Sequence, residues 1–438
     1  MMAFKQIGRA LLFLTLCAAS YSQQYWIQQQ CPTTKSLVRL SFTDTLNGWA
    51  VGDSGVIVHT SNGGQNWSIQ QSFIITPVED VFFINSNTGV ALANDYSGAG
   101  TIILKTSNGG FNWSNARYSD TSLILKSVYF LDTMTGFMGG ISPTVPVILK
   151  TTNGGANWQK TIIHNSICFD YPILRLNFFN ASTGFACGGY FDRAGIIWTT
   201  TDGGLNWSDS CISAEPLFDI HPLNGTKVLA AGGDPEYGSY VYTSGNTGAS
   251  WSGLFLGISG IAQRIAPRTA SEIWLPCGNI GKFAVTTDTA GHWFAVDIQD
   301  SIKAFDTHFA SPFSGWSVGN RGDNFIGVIL KYNSSIIGLQ NEQTGVPANP
   351  VLYQNYPNPF NPSTQIRYYV PSGGSVLITV YDVSGRKVKV FDEGNIGQGE
   401  HSVVFDAGNL SSGVYFYRMQ VVGKGSQYDL NKKMVLIK

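Results

Sequence analysis

An eight-residue pattern, Ser/Thr-x-Asp/Asn-x-Gly-x-x-Trp, is the feature that most limits how this chain can fold. Its copies begin at residues 60, 106, 151, 200, 244 and 286, so successive copies are 46, 45, 49, 44 and 42 residues apart. The first copy reads TSNGGQNW, and the last has Ala290 where the other copies have glycine. A Gly-rich turn that ends in tryptophan at this spacing indicates one compact unit per copy.

Each unit has the same internal order, which predicts strands throughout. A run such as VEDVFFI (78–84) is followed by a Gly-aromatic segment, a β-branched segment such as TIILKT (101–106), and then the turn. A β-type sequence with a period in the forties is typical of propeller blades that have four strands each. Seven inner strands are predicted, near Leu40, Val81, Val128, Leu176, Phe218, Ile265 and Phe305.

The seventh unit, residues 315–333, has no such turn and no strand after it. The missing strand is predicted at the N-terminus, because YWIQQQ (25–30) is similar to NWSIQQ (66–71). Pairing of this strand with the last blade would remove two exposed sheet edges. We therefore predict an all-β chain: a seven-bladed β-propeller closed by an N-terminal strand, then a small immunoglobulin-like β-sandwich.

The turn pattern resembles the Asp-box, or bacterial neuraminidase repeat. Its Asn or Asp side chain can accept backbone N–H bonds, its glycine permits an unusual backbone conformation, and its tryptophan buries a large apolar surface. A structural role is therefore expected, with the tryptophans largely buried. The predicted structural positions are Asn62, Gly64, Trp67, Asn108, Gly110, Trp113, Asn153, Gly155, Trp158, Asp202, Gly204, Trp207, Asn246, Gly248, Trp251, Asp288 and Trp293.

The N-terminus predicts export. Lys5 and Arg9 precede the apolar run ALLFLTLCAA, and small residues follow, which is the pattern of a secretory signal peptide over residues 1–22. The propeller is predicted over 23–337 and a polar linker over 338–350. A lipoprotein site at Cys17 is the alternative, but Leu16 stands where a small residue is needed.

The C-terminal region, residues 351–438, closely resembles the type A sorting domain of the type IX secretion system. The resemblance is carried by NPFNPST, YDVSGR, LSSGVYFYR and the terminal KKMVLIK, which occur in this order. It implies a β-sandwich that engages the type IX machinery after passage through the periplasm. It also implies release, or anchoring on a surface glycolipid, so the protein is expected to be secreted or on the outer-membrane surface.

Composition excludes several other classes of partner. The formal net charge is −1 with no basic block, so no nucleic acid is expected. No further apolar run is long enough for a transmembrane helix. No Cys/His spacing indicates a metal, no motif indicates a cofactor, and Cys168 with Cys211 is a candidate disulfide.

Three functions remain open for the propeller, which resembles photosystem II assembly factor and neuraminidase-repeat proteins. The favoured one is a binding module for protein or glycan, and the others are a glycoside hydrolase and a structural or assembly factor. A hydrolase would need two carboxylates across a cleft, for which Asp80, Asp219 and Asp306 are the candidates. Because no catalytic residue can be assigned, enzymatic activity is uncertain and less expected than binding.

A ligand is predicted on the face that carries the loops between second and third strands. These loops are the longest and most varied, and variable loops on a rigid scaffold are where binding usually resides. The predicted ligand contacts are Tyr96, Tyr190, Asp192, Arg193, Asp234, Glu236 and Tyr237.

Overall fold

The computed structural model describes residues 25–143, 145–164, 170–298, 301–334, 350–353, 355, 358, 360–371, 373–423 and 426–437. The predicted signal peptide, Cys168 and residues 338–349 of the predicted linker lie outside these residues. Within the described part, the chain is almost entirely β-structure, with one short 3-10 helix at Asp53–Gly55. The prediction of an all-β propeller is confirmed.

Seven sheets follow one another along the described residues between 26 and 332. The chain begins with β1 (Trp26–Gln29). Blade 1 then contains β2 (Leu37–Phe42), β3 (Gly48–Gly52), β4 (Ile57–Thr60) and β5 (Ser68–Gln70). Blade 2 contains β6 (Val78–Phe83), β7 (Gly89–Asp95), β8 (Gly100–Thr106) and β9 (Ser114–Arg117). Blade 3 contains β10 (Ile124–Phe130), β11 (Gly136–Ile141), β12 (Pro146–Thr151) and β13 (Gln159–Lys160).

Blade 4 has five strands, which the sequence did not predict. They are β14 (Ile162–His164), β15 (Ile173–Phe178), β16 (Gly184–Tyr190), β17 (Ala194–Thr200) and β18 (Asn206–Ser213), and β14 pairs in parallel with β18. Blade 5 contains β19 (Leu217–Pro222), β20 (Val228–Asp234), β21 (Gly238–Ser244) and β22 (Ser252–Phe255). Blade 6 contains β23 (Ala266–Pro267), β24 (Ile273–Pro276), β25 (Lys282–Thr286) and β26 (Phe294–Asp297). Blade 7 contains β27 (Ile302–Ser311), β28 (Ser314–Arg321) and β29 (Ile326–Tyr332).

The N-terminal strand closes the ring as the sequence predicted. β1 pairs antiparallel with β29, and Trp26 lies opposite Tyr332 in the register. The inner strand β2 packs between β6 of blade 2 and β27 of blade 7. The start of the chain thereby supplies the fourth strand of the last blade, which joins the two ends of the ring.

Aromatic rings connect several neighbouring blades on the side of the Asp-boxes. The Phe83 ring, at the end of β6, stacks on Trp49 of blade 1 at 3.4 Å and meets Trp113 of its own box edge-on at 5.8 Å. Blade 4 repeats this arrangement around Phe178, with Phe137 of blade 3 and its own Trp207. The glycine of the Gly-aromatic segment makes room for the ring, because a Cβ at Gly89 would lie 2.5 Å from Phe83.

The boxes have the predicted local structure. In the first box the backbone N–H groups of Gly64 and Asn66 donate to Thr60 Oγ1 at 2.9 Å and to Asn62 Oδ1 at 3.0 Å. Gly64 has φ +78°, a conformation that favours glycine. Three box tryptophans are buried, whereas three are only partly buried: Trp158, Trp251 and Trp293.

Contacts between boxes and neighbouring blades explain the repeat further. Trp67 Nε1 donates to Gln29 Oε1 in β1 at 3.1 Å, and Trp113 Nε1 donates to Gln70 Oε1 in blade 1 at 3.0 Å. Gln29 and Gln70 are glutamines that YWIQQQ and NWSIQQ share. The similarity between these two segments therefore reflects one contact that is made twice.

The C-terminal region forms two sheets. The first contains β30 (Val351–Leu352), β31 (Ser363–Val370) and β34 (Gly399–Asp406). The second contains β32 (Gly374–Asp382), β33 (Lys387–Ile396), β35 (Gly413–Gly423) and β36 (Ser426–Leu436). Both sheets contribute to one hydrophobic core, which includes Ile366, Ile378, Tyr417 and Met434.

We predict that Trp26→Ala lowers the free energy of unfolding by about 3–5 kcal/mol, the usual cost of truncating a buried tryptophan. Trp26 is 3% exposed, stacks on Phe283 at 5.0 Å and meets Trp274 edge-on at 5.7 Å. Denaturant unfolding measures the loss. Ile27→Ala is the matched control, because Ile27 is in the same strand and 49% exposed. Equal, small losses in both variants would contradict the role of β1 in closure.

Candidate functional site

The loops between second and third strands lie on one face of the propeller together with the connections between blades. We call this the connection face, and the opposite one the box face. The connection face carries exposed aromatic side chains on several blades of the described chain. They are Phe73, Tyr96, Tyr190, Phe191, Tyr237 and Phe325.

Most of the predicted ligand contacts are exposed on this face. Tyr96 and Tyr237 are 62% and 63% exposed, and Tyr190 is 41% exposed. Asp192, Arg193 and Glu236 are exposed too, whereas the Asp234 side chain is buried within its loop. The structure therefore spreads these side chains over blades 2, 4 and 5 rather than gathering them in one pocket.

Tyr96 belongs to a polar cluster that the sequence did not reveal. Its hydroxyl donates to Glu79, and Lys126 Nζ lies 3.0 Å from Glu79 Oε2 and 4.6 Å from the centre of the Tyr96 ring. Burial and the Glu79 carboxylate raise the pKa of Tyr96, so the ring remains a neutral phenol. Because Glu79 and Lys126 come from adjacent inner strands, this cluster holds the Tyr96 ring near the rim of the central channel.

Three carboxylates meet between blades 4 and 5: Asp192, Glu215 and Asp234, with one oxygen of each within 4.8 Å of the others. Asp234 Oδ1 accepts the backbone N–H groups of Glu236 and Tyr237, at 2.6 and 3.0 Å. Glu215 Oε2 accepts the backbone N–H of Asp192 at 3.2 Å. Burial and the two neighbouring aspartates raise the pKa of Glu215. These contacts account for the cluster as part of the loop structure.

The candidate hydrolase acids lie in a ring of charged and polar side chains around the central channel. The same inner-strand position of each blade supplies one member, next to a β-bulge in most blades. We call this the inner ring, and its members are Arg39, Asp80, Ser127, Arg175, Asp219, Arg264 and Asp306.

Each aspartate of the inner ring binds the backbone of the following blade. Asp80 Oδ2 accepts the N–H of Val128 at 2.8 Å, and Asp219 Oδ2 accepts the N–H of Ile265 at 2.7 Å. Asp306 Oδ2 accepts the N–H of Leu40 in the first blade at 2.9 Å. The three acids thus hold adjacent blades together.

The remaining oxygens of these acids bind arginines. Arg175 Nη1 lies 2.8 Å from Asp80 Oδ1, and Arg264 Nε lies 2.9 Å from Asp306 Oδ1. Asp219 Oδ1 lies between the two arginines, 3.5 Å from Arg175 Nε and 3.4 Å from Arg264 Nη1. All three carboxylates are therefore paired with at least one arginine.

Burial and ion pairing together set the protonation of the inner ring. Burial by itself would lower the pKa of Arg175, but the carboxylates of Asp80, Asp219 and Asp306 outweigh it and raise the pKa. Burial raises the pKa of Asp219 to about 7. In the inner ring, therefore, buried arginines are paired with aspartates, and each aspartate also accepts a backbone N–H of the next blade.

A cavity of about 450 Å³ lies in the channel on the box-face side of the inner ring. Its wall includes Phe82, Tyr129, Asn177, His221 and His308, which occupy the position two residues after the inner ring in their blades. Burial, with a smaller effect from His308, lowers the pKa of His221 to about 4, so His221 is neutral at physiological pH. The periodicity of the sequence is enough to predict that these side chains lie at one level of the channel. It does not show that they enclose a cavity.

Two family models match parts of the chain, one at the start of the propeller and one over the C-terminal region. Residues 18–123 match the family model described as Photosynthesis system II assembly factor YCF48. Residues 354–437 match the Secretion system C-terminal sorting domain. The C-terminal sandwich is a secretion system sorting domain. This domain directs export to the cell surface or the extracellular space, and it implies contact with the secretion machinery.

Solved structures show the same propeller fold. YCF48 bound to a D1 peptide has a TM-score of 0.56 at 22% identity, and the match covers 71% of this chain and 97% of that one. YCF48 from Cyanidioschyzon merolae has a TM-score of 0.55 at 18% identity, with 71% and 99% covered. A GH74 xyloglucanase from Xanthomonas campestris has a TM-score of 0.52 at 11% identity, with 72% and 54% covered. A comparison with curated proteins gives no significant match.

The described residues contain no helix with the length and apolar character needed to cross a membrane.

We predict that Asp80→Ala lowers the free energy of unfolding by about 3–5 kcal/mol, because it leaves Arg175 buried without its closest partner. Asp80 is 1% exposed. Glu79→Ala, at the adjacent position, is the control: its ion pair with Lys126 is partly exposed, so we expect a loss of about 1 kcal/mol or less. Chemical denaturation of both variants measures the difference. A loss no larger for Asp80→Ala than for the control would refute the structural role of the inner ring.

Deletion of Lys432 to Lys438 is expected to leave the protein in the periplasm. The deletion removes about half of β36, which pairs with β35 over its full length, so the sorting domain loses an edge of its second sheet. Cell fractionation and immunoblotting locate the protein. The control is Lys432→Ala with Lys433→Ala, which keeps the strand but removes two charges. Normal appearance of the truncated chain outside the cell would contradict the prediction.

Proposed function

We propose that this secreted propeller is a binding module whose connection face recognises a protein or glycan ligand. The observation that carries the proposal is the set of exposed aromatic side chains on the loops of that face. Tyrosine and phenylalanine provide large contact areas and are enriched at binding interfaces. The box face also has exposed apolar side chains, among them Phe111 and Leu205, but fewer of them are aromatic.

The contacts of the acids favour binding over glycoside hydrolysis. Asp80, Asp219 and Asp306 each bind a backbone N–H of the next blade and at least one arginine. A catalytic carboxylate must instead reach the glycosidic oxygen or the anomeric carbon of the sugar. The xyloglucanase likeness supports the fold alone, since only 11% of the aligned residues are identical.

The similarity to YCF48 supports a protein ligand in particular. One solved YCF48 structure holds a D1 peptide, so a propeller of this architecture can bind a peptide. The sorting domain directs this propeller out of the cell, where its partner would be another exported or surface protein.

Tyr96→Ala combined with Tyr237→Ala is expected to weaken ligand binding about tenfold or more, since truncation of interface anchors usually costs over ~1 kcal/mol each. The melting temperature should barely change, because both rings are more than half exposed. A glycan array and a pull-down from surface-protein extracts, both with the full chain, identify ligands and compare the variants.

Phe111→Ala combined with Leu205→Ala is the control on the box face, where both side chains are exposed. Unchanged affinity in the tyrosine variant together with lost affinity in this control would place the ligand on the other face.

A further inference from the structure

A second cavity, of about 570 Å³, opens on the connection face between blades 1 and 2. The connection between these blades forms one wall, through residues 71–76. Residues 54–56 of blade 1 also line the cavity, as do Ile102 and Arg117 of blade 2. We call this cavity the interblade groove.

The backbone at the groove is held in a conformation that is unfavourable for its sequence. Phe73 has φ +58°, in the left-handed region that bulky side chains rarely adopt. Its side chain is 77% exposed, so packing contacts do not offset the cost of this backbone conformation. Strained backbone that folding does not require is found preferentially at binding sites.

Two hydrogen bonds of Ser72, the residue before Phe73, hold the start of this loop in place. The Ser72 hydroxyl donates to the carbonyl oxygen of Gly55 at 2.6 Å, and Asn115 Nδ2 donates to the carbonyl oxygen of Ser72 at 3.2 Å. A Cβ at Gly55 would lie 2.1 Å from the carbonyl oxygen of Ile74, so the loop is closely packed against blade 1. The result is a rigid loop that presents an aromatic ring to solvent.

The groove combines exposed apolar side chains with polar ones, and Lys35 and Arg117 also line it. Ile75 is 88% exposed and Ile69 is 50% exposed, and both line the groove with Phe73. Lys35 is exposed, and no carboxylate of the described residues lies within ion-pair distance of it. Arg117 binds Asp95 at 3.0 Å but keeps 47% of its side chain exposed.

We propose that the interblade groove binds an extended peptide segment that places apolar side chains against Phe73 and Ile75 and a carboxylate near Lys35. We favour a peptide over a glycan because two of the three exposed apolar side chains, Ile69 and Ile75, are aliphatic and have no flat face on which a sugar ring could stack. The exposed Lys35 ammonium group complements an acidic segment. This inference rests on the proposed function and names both the class of partner and its position on the connection face.

The test uses a phage-displayed library of random linear peptides, selected on the purified full chain. We expect enrichment of peptides that combine large apolar residues with Asp or Glu, and titration calorimetry then measures their affinity. Phe73→Ala combined with Ile75→Ala should weaken binding about tenfold or more, as loss of two interface anchors usually does. Phe111→Ala, a truncation of a similarly exposed phenylalanine on the box face, should have no effect.

Two single variants separate binding from folding. Phe73→Asn should raise the melting temperature by about 1–3 °C while it weakens peptide binding, because asparagine tolerates the left-handed conformation better than phenylalanine. Lys35→Glu should weaken binding of the acidic peptides, and selection on this variant should enrich basic peptides instead.

Several results would overturn the inference: no enrichment of peptides, equal binding to the Phe73/Ile75 variant, or a lower melting temperature for Phe73→Asn. If peptides lose affinity for the Tyr96 and Tyr237 variant but not for the Phe73 and Ile75 variant, the groove is not the binding site. The proposed function would still hold. If the protein binds glycans but no peptides, the peptide site in the groove is also contradicted, and the proposed function holds with a glycan as the ligand.

Discussion

The hydrogen bond from one inner strand to the next is the contact on which the propeller depends. In blade 7, Asp306 accepts the backbone N–H of Leu40 at 2.9 Å, although the two residues are 266 positions apart. This contact joins the last blade to the first at the channel, as β1 joins them at the outer edge. Asp80, Ser127 and Asp219 make the equivalent contact elsewhere in the ring. A buried carboxylate is tolerated there because arginines and backbone N–H groups satisfy it.

A second set of contacts links the blades on the box face. Trp67 and Trp113 donate to a glutamine in the outer strand of the preceding blade, and Lys150 donates to the carbonyl oxygen of Gly203 in the next box at 2.8 Å. The Asp-box therefore stabilises its own turn and also positions neighbouring blades. This dual role explains why the pattern recurs along the chain, and its third residue can be either Asn or Asp because both accept the backbone N–H bonds of the turn.

The two faces consequently differ in what their side chains do. Around the inner ring the aspartates have partners within the protein, and on the box face so do the turns of the boxes. On the connection face, large aromatic and aliphatic side chains are exposed. Phe73 is one of them, and its backbone conformation is unfavourable for phenylalanine. The exported location of the protein makes such a surface available to partners outside the cell.

The sequence by itself determined the all-β class, the repeat, the strand order within each blade and closure by the N-terminal strand, because these depend on local periodicity and on similarity between units. It also determined the secretion route, since the motifs of the sorting domain are contiguous in the chain. It could not show that Asp80 pairs with Arg175, or that Arg264 lies between Asp219 and Asp306, because rotation of the blades about the channel sets those distances. Only the tertiary structure decided that Trp158 is partly buried, that β14 extends blade 4, and that Phe73 and Ile75 border a groove, because each depends on how one blade packs against the next.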